Sequence, residues 1–170
     1  METQTKLFFG EVPEGVEDIN DGRLYVFSNY DKGVICPCCD QFAKKYKRKF
    51  NSTMARALII IYRAGRDWVH LEELFKNTPK IPSSIRSNAS ILRWWQMIRR
   101  KEGEKDDGNP NNGFYKITDL GIAFVENRIT TKRYVYTYNN KVLEEVDDEQ
   151  INIYTALTDK FNYNELMGKL

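Results

Sequence analysis

Three thiols stand within four residues, at Cys36, Cys38 and Cys39 in the run Cys36-Pro37-Cys38-Cys39-Asp40. Two thiolates separated by two residues can hold one tetrahedral Zn²⁺, so Cys36 and Cys39 are candidate metal ligands. A closed structural site needs four donors. The chain holds no second cysteine pair, and its one histidine is His70. A zinc ion on Cys36 and Cys39 would therefore draw on Cys38, on His70, on a carboxylate or on a second subunit. The plainer expectation is a turn whose thiols stay reduced. No βαβ pattern surrounds the cysteines, which argues against a thioredoxin-like redox pair.

The rest of the chain offers little to an enzyme. A single histidine excludes a His–His acid–base pair, and His70 between Val69 and Leu71 reads as a packing residue. There is no glycine-rich phosphate loop, no Gly-x-Ser-x-Gly and no His-Glu-x-x-His. Asp106 and Asp107 sit in a Gly/Asn-rich stretch where paired carboxylates are expected to be solvated. The expectation is a protein that is not an enzyme.

Charge is more informative. The 170 residues hold 26 Lys+Arg and 24 Asp+Glu, a net of +2. Along the chain this total resolves into −5 over residues 1–40, +12 over 41–101, zero over 102–141 and −5 over 142–170. From Leu74 to Lys101 there are seven basic residues and no acidic one. A field of that sign attracts polyanions, although long charge runs also serve simply as solvated faces. The candidate nucleic-acid contacts are Lys44, Lys45, Lys47, Arg48 and Lys49, then Arg86, Ser87, Asn88, Ser90 and Arg93, then Arg99, Arg100 and Lys101.

The elements that would position these residues follow from pattern. Leu24–Phe27 is a short β-prone run, and Val34-Ile35 begins a second strand. Asn51-Ser52 is an N-cap for a helix running through Ala64 to a stop at Gly65, with Met54, Ala57, Leu58, Ile61 and Tyr62 on one face. Trp68–Leu71 is an extended lead into a second helix at about 71–77, ended by Asn77-Thr78-Pro79. Pro82-Ser83-Ser84 opens a third helix, with Ile85, Ala89, Leu92 and either Trp94 or Trp95 inward. Arg86, Ser87, Ser90 and Arg93 are left for its outer face. Residues 97–100 extend that helix or begin a strand. Residues 102–113 form a polar loop, and Phe114–Ile117 a strand. Thr118 caps a short helix to about Asn127. Arg133–Tyr138 and Lys141–Glu144 flank Asn139-Asn140 as a hairpin, since Asn tolerates the positive φ of a tight turn. Residues 145–170 hold an amphipathic helix.

Three helices followed by strand, loop and strand is a winged helix-turn-helix order, in which two helices set the angle of a third that enters the DNA major groove. Residues 52–126 resemble the winged-helix domains of MarR-like regulators and related small phage-encoded proteins. The carriers are ILRWWQMIRR (91–100), similar to a recognition helix running into a wing strand, and GFYKITDLGIAFVEN (113–127), similar to the second wing strand and a Thr-x-x-Gly helix. KRYVYTYNNKVLE (132–144) resembles a hairpin appended in some phage members, and Cys36-Pro-x-Cys39 resembles half of a zinc ribbon. The resemblance implies DNA binding, often as a homodimer.

The expected fold class is thus α+β: a winged helix-turn-helix core of three helices plus a β wing, an N-terminal β/knuckle arm, and an appended C-terminal hairpin and helix. The expected domains are residues 1–50 (arm, knuckle and basic run), 51–128 (winged helix) and 129–170 (hairpin and acidic segment). The expected partner is double-stranded DNA, bound by a phage-type transcriptional regulator or DNA-associated factor. The competing expectation is a protein-interaction factor on the same scaffold, such as an anti-CRISPR-type inhibitor of a host nucleic-acid machine. It would work through the acidic arms or through Tyr134, Tyr136 and Tyr138, which share one strand face. That face could also stack bases or pack inward. No apolar run reaches the ~18 residues of a membrane span, and no secretory signal is visible at residues 1–6. The expected location is the cytoplasm, that of the host if the protein is phage-encoded.

Overall fold

The computed structural model describes residues 12–78, 82–103, 113–145 and 148–168. The fold is α+β, with seven α-helices and several small antiparallel sheets among the described residues. No helix among them is long and apolar enough to cross a membrane. The chain divides into two compact units: residues 1–48 with 136–144, and residues 49–135 with 145–170.

In the first unit, α1 (Ile19–Asn29) replaces the strand expected at Leu24–Phe27. The reason is local. Asp18 accepts from the backbone N–H groups of Asn20 and Asp21 at 2.7 and 3.0 Å, and the Asp21 carboxylate accepts from the Asp18 N–H in return. This capping box starts a helix that the β propensity of Tyr25, Val26 and Phe27 does not overturn. A short hairpin follows, β1 (Val34–Ile35) against β2 (Phe42–Ala43), with the cysteines in its loop. β3 (Tyr46–Lys49), β8 (Tyr134–Tyr138) and β9 (Lys141–Val142) form a three-stranded sheet with β8 central, of which residues 46–48, 136–138 and 141–142 belong to this unit. Asn139 and Asn140 both take positive φ (45° and 59°) in the turn between β8 and β9, as the hairpin requires. Tyr138 meets Phe27 and Tyr30 with ring centroids 5.7 and 5.2 Å apart, a small aromatic cluster.

The second unit is built around α2 (Ser52–Arg63), capped by Asn51, whose side chain accepts from the Met54 N–H at 3.0 Å. Met54, Ala55, Ala57, Leu58, Ile59 and Ile61 are buried. Ala64 and Gly65 end it, Gly65 at φ +105°. β4 (Val69–His70) leads into α3 (Leu71–Asn77). Then α4 (Ser83–Ala89) runs into a 3-10 helix at Ser90–Trp95. Ile85, Ala89, Leu92 and Trp95 are the inward stripe, so Trp95 rather than Trp94 is the core tryptophan. Gln96, at φ 58°, turns the chain into β5 (Ile98–Arg100), so residues 98–100 begin a strand rather than prolong the helix. β6 (Phe114–Ile117) lies between β4 and β5, antiparallel to both.

Thr118 caps α5 (Asp119–Val125) and ties it to the corner before β5. Its hydroxyl accepts from the Gly121 N–H at 3.0 Å and donates to the carbonyl of Gln96 at 2.6 Å. Gly121 sits against the Met97 carbonyl, closer than any β-carbon could. Beyond α5, β7 (Thr131–Lys132) pairs with β10 (Gln150–Ile151), and α6 (Ile153–Leu157) and α7 (Tyr163–Leu166) close the unit. The single helix expected over 145–170 is therefore a strand and two short helices. Asn152 and Asn162 each cap a new helix start, and Thr158 at φ 56° interrupts the run between them. Ile151, Ile153, Ala156, Leu157 and Tyr163 join the core, and the Tyr163 hydroxyl donates to the Val125 carbonyl at 2.8 Å. At its centre Phe50 contacts Trp95 and Phe124 edge-on, both at 5.3 Å.

Two substitutions test this packing. Phe50→Ala should lower unfolding stability by about 3–5 kcal/mol, read from the urea midpoint. Gly121→Ala should also destabilise, because the added methyl meets the Met97 carbonyl. Helix propensity alone predicts a gain of about 1 kcal/mol, so the sign of the change in midpoint separates the two effects.

Candidate nucleic-acid interface

The third helix of the second unit presents Arg86 and Ser87 to solvent, with Asn88, Ser90 and Arg93 half-buried. Their roles divide. Arg86 reaches back so that Nη2 lies 3.5 Å from the Phe75 carbonyl, a long contact that leaves its other donors available. Arg93 lies over the Trp94 ring at 5.9 Å. The Ser87 hydroxyl donates to the Ser84 carbonyl at 3.2 Å. Asn88 is committed to the fold: its amide donates to the Ser84 carbonyl at 2.7 Å and to the Thr53 hydroxyl at 3.2 Å. Thr53 in turn donates to the Asn51 cap at 2.6 Å. This chain of hydrogen bonds pins α4 to the start of α2, so the Asn88 amide nitrogen helps to position the helix.

Sheet β4–β6–β5 distributes its residues by alternation. Ile98, Tyr115 and Ile117 point into the core. Arg99 stands opposite Lys116, Arg100 opposite Tyr115, and His70 opposite Phe114. Period-two alternation therefore puts Trp68 and His70, Phe114 and Lys116, and Arg99 and Lys101 on the face away from the core. Arg100 belongs to the other face, so the basic run 99–101 is split. Arg99 stacks over the Trp68 ring at 5.3 Å and Lys101 over the Phe114 ring at 5.6 Å. His70 meets Phe114 edge-on at 5.1 Å, and its Nδ1 accepts from the Glu73 N–H at 3.5 Å, capping α3. A cleft of about 280 Å³ adjoins this face, lined by Arg66, Arg99, Lys116, Thr118 and Asp119 among others. Arg66, Trp68, Phe114 and Lys116 were not visible as site residues in the sequence. Only the strand register gathers them, though the alternation Trp68-x-His70 and Phe114-x-Lys116 hinted at it.

The other predicted bases lie mainly in the first unit. Lys45 pairs with Asp31 at 2.6 Å and stands over the rings of Tyr30 and Tyr136, each at 5.5 Å. Lys47 lies over Tyr136 at 5.5 Å and Arg48 over Tyr46 at 4.7 Å. Lys44 is half-buried; Lys47, Arg48 and Lys49 are exposed. Tyr134, Tyr136 and Tyr138 share the half-buried face of β8, and it is Val135 and Thr137 between them that are buried. In the acidic run, Glu149 pairs with Arg133. Residue 147 of that run, and the Asp106–Asp107 pair, lie outside the described residues.

The cysteine loop gathers no further donors around Cys36 and Cys39 among the described residues. Among the described residues no group of three or more His, Cys, Asp or Glu side chains is gathered to hold a metal, so neither Cys38 nor His70 completes a set with Cys36 and Cys39. His70 is occupied at the start of α3, and the Cys38 Sγ lies against Gly22 of α1. The loop is closed by the backbone: the Cys36 N–H donates to the Gln41 carbonyl and the Asp40 N–H to the Cys36 carbonyl, both at 2.9 Å. The Cys38 backbone N–H, helped by the N–H and thiol of Cys39, holds the Cys36 thiol below its ordinary pKa despite some desolvation. Desolvation, then the charge of Cys36, pushes Cys38 up.

These shifts order the thiols. The thiolate is the nucleophile, and a lowered pKa means that it forms at lower pH. Cys36 should therefore be carboxymethylated with a pH midpoint below that of Cys38, as read by peptide mass spectrometry across a pH series. Equal midpoints, or Cys38 reacting first, would contradict the assignment.

Compared with known proteins, the chain matches no family model, no curated protein and no solved structure.

Proposed function

We propose that residues 52–126 form a winged helix-turn-helix module that binds double-stranded DNA. In this reading α4 enters the major groove, and Arg99, Arg100 and Lys101 contact phosphates. The observation that carries it is the order α2, β4, α3, α4, β5, β6 combined with the sheet order β4–β6–β5. That combination supports a helix–strand–helix–helix–wing arrangement with α4 held at a fixed angle by the two helices before it. Charge supports the same reading, since no acidic residue occurs from Leu74 to Lys101. Arg86 and Arg93 are the candidate base or phosphate contacts, Ser87 and Ser90 allow close backbone approach, and Asn88 fixes the helix. The role is that of a binding module rather than an enzyme, in a phage-type regulator or DNA-associated factor.

A second reading rests on the first unit, where Ile19, Leu24 and Phe27 of α1 and Ile35 and Phe42 of the β1–β2 hairpin are exposed. Exposed apolar side chains in such number favour a protein partner. In that case the fold would serve as a docking scaffold.

Anisotropy on a labelled random duplex separates the two. Arg86→Ala and Arg93→Ala should each weaken binding by about 1–3 kcal/mol, and log affinity should fall linearly with log salt through counterion release. Absence of any duplex binding, or affinity independent of salt, would refute the DNA reading and favour the docking scaffold.

A further inference from the structure

The outward face of the β4–β6–β5 sheet brings rings and cations together. Its six positions carry three rings (Trp68, His70 and Phe114) and three cations (Arg99, Lys101 and Lys116), with no acid. Here the rings are partly open, Phe114 at 37% exposure. Arg99 and Lys101 rest on two of them. The neighbouring cleft adds Arg66, with Asp119 as its one acidic wall.

Rings flanked by cations suit a ligand that is itself alternately aromatic and anionic. We propose that this sheet face binds single-stranded nucleic acid, stacking bases on Trp68 and Phe114 and taking phosphates on Arg99, Lys101, Lys116 and Arg66. Trp68 and Phe114 are diagonal neighbours on adjacent strands, about 7–8 Å apart, a spacing that suits one base per ring. Unpaired bases are required, because a duplex keeps its ring faces stacked on one another. The backbone would follow the cationic edge toward the cleft, where a volume of about 280 Å³ bordered by Arg66, Arg99 and Lys116 has room for a phosphodiester. The Arg99–Trp68 and Lys101–Phe114 stacks hold the rings in place beforehand, and each cation is then near both a ring and a phosphate. This surface shares Arg99 and Lys101 with the duplex reading, but its rings, Lys116 and Arg66 lie outside that reading.

The test is fluorescence anisotropy of labelled oligothymidylate and oligouridylate of about 12 nucleotides, a length within the usual single-strand site size. Intrinsic tryptophan emission is followed in parallel. Binding should quench tryptophan emission, and the tighter of the two strands identifies DNA or RNA as the source. Trp68→Ala and Phe114→Ala should each weaken binding at least about fivefold. Trp68→Phe, which keeps a ring, should restore most of it, and Trp68→Ala should leave duplex affinity within about twofold. Circular dichroism melts check folding. Should Trp68→Ala unfold, the charge reversal Arg99→Glu with Lys116→Glu, checked by the same melts, carries the test, and single-strand binding should be lost. The proposal is overturned if neither strand binds, if Trp68→Ala and Phe114→Ala bind as the wild type does, or if polyglutamate displaces the strand at equal charge concentration. Duplex binding on the same preparations keeps this failure distinct: a protein that binds duplex but no single strand refutes only this surface, and the converse refutes only the α4 reading.

Discussion

The joint between Thr118, Gly121 and the carbonyls of Gln96 and Met97 fixes the geometry on which the rest of the second unit depends. Three hydrogen bonds converge there. The Thr118 N–H donates to the Met97 carbonyl at 3.0 Å, the Thr118 hydroxyl reaches the Gln96 carbonyl at 2.6 Å, and the Gly121 N–H is capped by that same hydroxyl. Gln96 adopts a left-handed backbone, which costs a non-glycine residue free energy unless its surroundings hold it. The joint holds it. It ends the 3-10 extension of α4 at one residue, starts β5 two residues later, and leaves no room for a side chain at position 121. The direction of α4 and the register of the sheet are consequently set together. Arg86 and Arg93 on one element, and Arg99 and Lys101 on the other, take their places from a single corner.

A second constraint is polar. The chain Asn88 to Thr53 to Asn51 joins the outer part of α4 to the cap of α2. A half-buried amide that lost its partners would carry a desolvation penalty of about 1–3 kcal/mol, so α4 is held at its exposed end as well as through Ile85, Ala89 and Leu92. Rigid placement of an exposed basic helix is what groove binding would need. The charge distribution has the same sense. A net charge of +2 describes no part of this molecule, because the bases collect between residues 41 and 101 and the acids toward the two ends.

Much of the second unit was legible in the sequence because local rules and burial agree there. The caps Asn51 and Thr118, the stop at Gly65, the inward stripe of α4 and the strand at Phe114–Ile117 were all readable from residue type and spacing. Asn139-Asn140 likewise announced its hairpin. Where the structure departs from the residue pattern, a second local signal prevails. At α1, an acidic capping box outweighed aromatic β propensity. In residues 145–170, the caps Asn152 and Asn162 start two short helices where the amphipathic pattern suggests one. At the cysteine loop, spacing says nothing of where a further donor lies, and His70 is placed as the cap of α3. The aromatic and basic sheet face was hidden for a different reason. Its six residues come from three separate segments, and only strand pairing brings them to one side.

Amide chemical-shift mapping on adding a short random duplex would test the central claim most directly. Perturbations should concentrate at Ser84–Arg93 and Arg99–Lys101 and weaken as salt is raised. Perturbations confined to α1 and the β1–β2 hairpin, or none at all, would contradict it.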